Sequence, residues 1–283
     1  MSDFLTKPIT DAKIPVGRSV ANAFEWLQDT FITAFDGLEA GLRGIIGLLA
    51  SALQTPHPFA VIAGFCAITW VLQRKLVPVA IVAACALFAL NQGYWVLTMQ
   101  TLTLVIASCI VCMGVGVPLG IYAAHHRRFY RALTPVLDLM QTLPVFVYLI
   151  PVLVLFGLGM VPGLVATVIF AMPASIRLTE LGIRSTPTAL SEAATAFGAT
   201  TAQRIAKVEL PYAFPQIMAG LNQTIMLSLS MVVIAGLVGA PGLGVAIVRA
   251  LNTVNASLGF EAGAVIVAVA IMLDRMLRVE VTR

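Results

Sequence analysis

The side chains able to do chemistry in this chain are few, and their surroundings narrow what that chemistry is. Cys109 and Cys112 form a C-x-x-C pair at helical i, i+3 spacing, a spacing used by thiol redox pairs and half metal sites. Like Cys66 and Cys85, they lie in apolar stretches with no histidine, charge or glycine-rich turn nearby. That setting reads as packing and argues against a disulfide framework of the secreted kind. His57 precedes an apolar segment, while His125 and His126 open a basic stretch, so no three ligands converge on a metal. Ser108 and Ser175 have no histidine base within the same apolar segment, which speaks against nucleophilic catalysis and leaves no enzyme signal. No G-x-x-x-x-G-K-[ST] phosphate cradle occurs, so the sequence carries no P-loop nucleotide motif.

What remains is the polar stretch 177–212. Thr188 is placed to cap a helix whose apolar residues, Leu190, Ala193, Ala194 and Phe197, follow the spacing of one helical face. Gly198 is placed to end it, because the residue just past a helix often needs positive φ. Thr200 or Thr201 then caps a second helix, 202–209, which Pro211 is expected to stop. A narrow apolar face with two alanines and a phenylalanine anchor suits docking into a partner's groove. The same periodicity also suits a helix packed on its own bundle.

The elements that must hold this stretch are membrane spans. The chain has 283 residues, 59% hydrophobic and 11% charged, against about 25% charged in a soluble domain. No charged residue occurs in 76–124, 139–176 or 210–248, and each gap exceeds the roughly 20 apolar residues that cross a bilayer. Spans are expected at about 59–72, 76–91, 96–124, 135–157, 162–176, 215–238 and 262–273, seven in all. Before them, residues 1–22 read as an irregular tail, and 31–53, with Asp36, Glu39 and Arg43, reads as an interfacial amphipathic helix. The N-terminus lacks the charged and short apolar regions of a signal peptide, so targeting is expected from the first span. Twelve of the 17 basic residues fall in connections assigned to the cytoplasm: Arg74, Lys75; Arg127, Arg128, Arg131; Arg177, Arg184, Arg204, Lys207; Arg275, Arg278, Arg283. The others are Lys7, Lys13, Arg18 and Arg43 near the N-terminus and Arg249 in a late loop. This bias places the C-terminus inside and, with seven crossings, the N-terminus outside. The net charge of +4 is thus topological, and a nucleic-acid partner is excluded because no basic face forms. An ion-coupled secondary carrier of small zwitterions is the alternative, but it calls for a coupling charge at membrane depth. Asp138, Glu261 and Asp274 all fall near expected span ends.

Residues 192–211 read Glu-Ala-Ala, three residues, Gly198, nine residues, then Val208-Glu209-Leu210-Pro211. This resembles the EAA loop of ABC importer permeases, with Val208 where that pattern has isoleucine. Residues 140–151 (MQTLPVFVYLIP) and 219–231 (AGLNQTIMLSLSM) look like segments of the glycine betaine, proline and choline uptake branch, as do the glycine-rich 239–244 and the closing Leu273-Asp274-Arg275. The resemblance covers roughly 96–278. It implies an all-α polytopic membrane bundle of the type I, MetI-like permease kind, with a core of five spans plus N-terminal scaffold helices. The divisions are 1–57 (tail and interfacial helix), 58–93 (scaffold spans), 94–276 (permease core with the EAA loop at 177–212) and 277–283 (cytoplasmic tail).

The resemblance also implies a non-catalytic subunit of a bacterial inner-membrane importer. Its partners would be a second copy of itself, two ATP-binding subunits that carry the ATP and Mg²⁺, an extracytoplasmic substrate-binding protein, and lipid. The role of docking on the ATPase passes to Leu190, Glu192, Ala193, Ala194, Phe197, Gly198, Leu210 and Pro211. Quaternary ammonium groups favour aromatic faces, so Phe146, Tyr148 and Phe156 on the fourth expected span are candidates to line a pathway.

Overall fold

The computed structural model describes residues 16–277, and every regular element in that range is helical. Expectations for residues 1–15 and 278–283, including Lys7, Lys13, Arg278 and Arg283, lie outside the described residues. The chain divides into two units, 1–42 and 43–283. The first carries the beginning of helix α1 (Val16–Gln54), which leaves helical geometry at Phe31, where φ is −114° and ψ is 21°. Helix from residue 16 onward corrects the expected irregular tail to 22. Val16, Val20, Phe24, Leu27 and Phe31 follow one another at the spacing of a single helical face, which the polar composition masks.

The second unit continues through α2 (Pro58–Gln73), α3 (Leu76–Asn91), α4 (Trp95–His125), α5 (Arg127–Thr142), α6 (Val145–Phe156) and α7 (Met160–Arg184). After two short pieces come α10 (Leu210–Ser230), α11 (Val232–Leu237), α12 (Leu243–Asn252) and α13 (Ala256–Leu277). The pieces are α8 (Thr188–Ala196) and α9 (Thr201–Arg204).

The seven expected spans fall on helices, with 135–157 broken between two of them. Four helical stretches are long and apolar enough to cross a membrane, and six if the bent pairs α1 with α2 and α5 with α6 each cross once. The α5–α6 pair bends by 95° because Pro144 forces extended backbone on Leu143, at φ −65° and ψ 134°. Helix α3 has 16 residues and is about 24 Å long, short of a hydrocarbon core of about 30 Å. Two expected loops are also helices: Arg127, Arg128 and Arg131 lie on α5, and Arg249 lies on α12. Arg177 and Arg184 ride the end of α7, which runs two turns beyond its expected limit.

Helix α7 is the most enclosed of the crossing helices, packed along α4 on one side and α10 on the other. Gly116 and Gly120 make the first contact possible. A Cβ on Gly116 would lie 2.0 Å from Ser175 Oγ, and one on Gly120 would lie 2.6 Å from Thr179 Cβ and 2.8 Å from the Ile176 carbonyl. Small residues four apart let membrane helices approach through their backbones, where packing rather than water drives association. Ser175 Oγ donates to the Cys112 carbonyl at 2.9 Å across this seam. Cys109 and Cys112 are buried in the same region as free thiols. Around α2, α3, α4, α10 and α13 a second cluster forms from Phe65, Val82, Met99, Leu102, Val265 and Met272. The Gln73 amide closes it by donating to the Arg275 carbonyl.

Candidate coupling site

The stretch joining α7 to α10 folds into a helix, a glycine turn, and a second helix continuous with the span that follows. Thr188 is the first residue of α8 rather than its cap; Pro187 holds the cap position and no side chain bonds back. Proline suits this place because the N–H it lacks would have no partner. The other end of α8 follows the sequence reading. Gly198 has φ +78°, Ala199 N donates to the Ala194 carbonyl at 3.0 Å and Gly198 N to Thr195 at 2.9 Å, the paired bonds of a Schellman turn. A Cβ on Gly198 would meet nothing within 4 Å, so its backbone angle alone calls for glycine.

Thr200 then caps α9 in a reciprocal box. Its Oγ1 accepts from Gln203 N at 3.3 Å while its own N–H donates to Gln203 Oε1 at 2.9 Å. Pro211 does not stop this helix. Residues Ile205–Glu209 form a π-helical turn, Leu210 N donates to the Ile205 carbonyl, and the helix runs on into α10. In an α-helix the Pro211 ring would strike the carbonyl four residues back, and the wider i→i+5 turn makes room for it.

The apolar face of α8 is largely open to solvent. Phe197 is 93% exposed and Leu190 47%; Glu192 and Ala193 are exposed and Ala194 half-buried. The root of the site is the reverse. Leu210 packs against Ile183, Ala213 and Ile217, with Pro211 exposed beside it.

A charged group holds this root. Glu209, 5% exposed, accepts from Arg204 Nε at 3.0 Å through Oε1. Its Oε2 lies 2.9 Å from His125 Nε2 at the end of α4, an ion-pair distance off the hydrogen-bond line. His125 Nδ1 is in turn 2.8 Å from the Ile121 carbonyl. The π turn brings Arg204 and Glu209, five apart, onto one side. An α-helical reading puts them on different faces, so periodicity carries no sign of this pair. Glu180 was also missed. It lies on α7, 4% exposed, with Arg184 Nη1 at 3.2 Å, and its only sequence signal is the i, i+4 spacing to Arg184. Nearby, Arg177 Nη2 bonds Asp138 Oδ1 at 2.6 Å and ties α7 to α5.

The three aromatics on α6 are not brought together. Phe146 is 56% exposed, Phe156 is 8% exposed near the other end, and Tyr148 is half-buried with its hydroxyl enclosed. Among the described residues no group of three His, Cys, Asp or Glu is placed to hold a metal.

Residues 116–277 match the family described as binding-protein-dependent transport system inner membrane component. Over 265 residues the chain is 44% identical to the glycine betaine transport system permease protein OpuAB of Bacillus subtilis, covering 93% of each chain. It is 42% identical over 271 residues to the glycine betaine/proline betaine transport system permease protein ProW of Escherichia coli, covering 95% of this chain and 76% of that one. It is 45% identical over 253 residues to the glycine betaine/carnitine transport permease protein GbuB of Listeria monocytogenes, covering 87% and 89%. In structure it is similar to a chain of the inward-facing MetNI methionine ABC transporter, with a TM-score of 0.56 and 27% identity, over 65% of this chain and 94% of that one.

Proposed function

Since the chain belongs to the inner membrane components of binding-protein-dependent transport systems, we propose that it imports a small osmolyte bearing a quaternary ammonium group, with glycine betaine as the first candidate. The family membership makes it a multi-pass inner-membrane permease subunit of an ABC importer, non-catalytic itself and assembled with ATPase subunits. The substrate class is the one named for its relatives: glycine betaine, proline betaine and carnitine. The complete importer holds two copies of this chain, two ATPase subunits that bind ATP and Mg²⁺, and an extracytoplasmic binding protein that supplies the solute.

The observation that carries the coupling role is the exposed face of α8. Leu190, Glu192, Ala193, Ala194, Phe197 and Gly198 form an amphipathic helix with a glycine-ended turn and a largely exposed apolar face, the form in which a short helix enters a groove. Leu210 and Pro211 root it on the bundle. ATP-driven closure of the two ATPase subunits then draws both docked helices together, and the continuous path from α9 into α10 carries the displacement into the membrane. Phe146, exposed at the start of α6, is the aromatic available to a passing ammonium group.

The test is uptake by proteoliposomes that hold this chain, its ATPase and its binding protein, with ATP inside, for wild type and Gly198→Asp. Uptake that requires ATP and collapses in an assembled Gly198→Asp complex is the expected result. Uptake driven by an ion gradient without ATP, and indifferent to Gly198, would overturn it.

A further inference from the structure

One turn beyond the close crossing at Gly120 and Thr179, a cavity of about 170 Å³ opens between the ends of α4, α5 and α7. Ala123, Ala124, Arg127, Tyr130, Glu180 and Arg184 line it. None of these belongs to the coupling helix or to the aromatics of α6. The lining is sorted by charge and depth. Glu180 and Ala123 are buried, Tyr130 is half-buried, and Arg127 and Arg184 are exposed at the rim.

Glu180 is the feature that calls for an explanation. A buried carboxylate is costly unless its oxygens find partners. Its one hydrogen bond among the described residues is to Arg184 Nη1 at 3.2 Å, from a side chain that is itself 65% exposed. Its other oxygen is left to the cavity. The Tyr130 phenol lies within electrostatic reach of Glu180, Arg184, Arg177 and Asp138. Those last two are already paired with each other at 2.6 Å. The charged lining is therefore a buried carboxylate with one oxygen engaged by Arg184, a tyrosine beside it, and two guanidinium groups at the mouth, of which Arg127 makes no ion pair among the described residues.

We infer that this cavity is a binding site for a small zwitterion carrying a quaternary ammonium group, held ammonium-inward on Glu180 and the Tyr130 ring and carboxylate-outward on Arg127 and Arg184. A quaternary ammonium offers no hydrogen-bond donor, so it is recognised by charge and by aromatic faces. The carboxylate, by contrast, suits guanidinium groups. The site lies on the end of the bundle that carries the coupling helices, where imported solute accumulates. It thus gives the permease a contact with product distinct from the binding protein. The inference rests on the proposed substrate class but is tested separately from it.

The experiment is equilibrium dialysis of radiolabelled glycine betaine against the purified permease–ATPase complex in nanodiscs, without the binding protein. Wild type is expected to bind. Tyr130→Phe keeps the ring and should retain that binding, whereas Tyr130→Leu should weaken it by about 2- to 30-fold, the range for loss of one cation–π contact. Arg127→Gln should narrow the preference for glycine betaine over choline, which has no carboxylate. Absence of wild-type binding, or binding unchanged in Tyr130→Leu, overturns the site, as does an equal loss in Tyr130→Phe and Tyr130→Leu. ATP-driven uptake in the full system is read in parallel. Uptake without dialysis binding sinks the site alone, and binding without ATP-driven uptake sinks the proposed function and leaves the site standing.

Discussion

Replacing Glu209 by glutamine tests whether the root of the coupling loop is held by charge. The Glu209 side chain is 6% exposed and faces Arg204 Nε at 3.0 Å and His125 Nε2 at 2.9 Å, whose side chains are 28% and 25% exposed. Breaking a fully buried pair costs about 3–5 kcal/mol. Here both partners keep a quarter of their surface in solvent, and glutamine still accepts a hydrogen bond from Arg204. The expected cost of Glu209→Gln is therefore about 2 kcal/mol, and that of Glu209→Leu, which accepts nothing, about 4 kcal/mol. By the scaling for chains of this size, the glutamine variant should unfold about 4–8 °C lower. The assay is thermal unfolding of the purified permease in detergent, paired with ATP hydrolysed per solute imported in proteoliposomes, which should rise as the loop loosens. A double-mutant cycle with Arg204→Gln completes the test, and a coupling above about 0.5 kcal/mol is expected for groups in one network. An unchanged unfolding temperature for Glu209→Gln, or strict additivity with Arg204→Gln, would refute the reasoning.

Three further outcomes follow from the geometry. Phe197→Ala should leave the permease's own unfolding within about 0.5 kcal/mol of wild type, because the ring touches little of this chain, yet weaken capture of the ATPase by about tenfold or more as a lost anchor; pull-down titration reads this directly. Gly120→Ala sets a methyl against the Ile176 backbone and should cost about 1–3 kcal/mol, with loss of folded yield by size-exclusion chromatography, whereas Gly114→Ala, with nothing within 4 Å, should be neutral. Thr200→Ala removes the capping box and should cost about 1 kcal/mol locally, seen as faster amide exchange over residues 200–209 with exchange in α7 unchanged.

The all-helical membrane bundle was legible because its cause is compositional: long uncharged runs have few solutions in lipid other than helices. The glycine turn at 198 and the Thr200 cap were legible because both depend on the local chain. Crossing number was not. Whether 135–157 is one span depends on how Leu143 resolves the clash with Pro144, and hydropathy is blind to a 95° bend. The extension of α7 past Ile176 was hidden because Arg177, Glu180 and Arg184 look like loop charges until Asp138 and the cavity wall give them partners. Glu209 stayed invisible for a sharper reason. Its neighbours Arg204 and His125 meet it through a π turn and a contact 84 positions away in sequence, neither of which periodicity encodes.

That π turn also sets a phase. One residue more than an α-helical turn is stored between Arg204 and Leu210, so α9 and everything before it are rotated by about 100° relative to a straight continuation of α10. The direction in which Phe197 and Leu190 face is thus registered to the membrane helix by a single surplus residue. Deleting one of Ile205, Ala206 or Lys207 would hand the loop the same residues on the same helix, aimed at the wrong quarter of the compass.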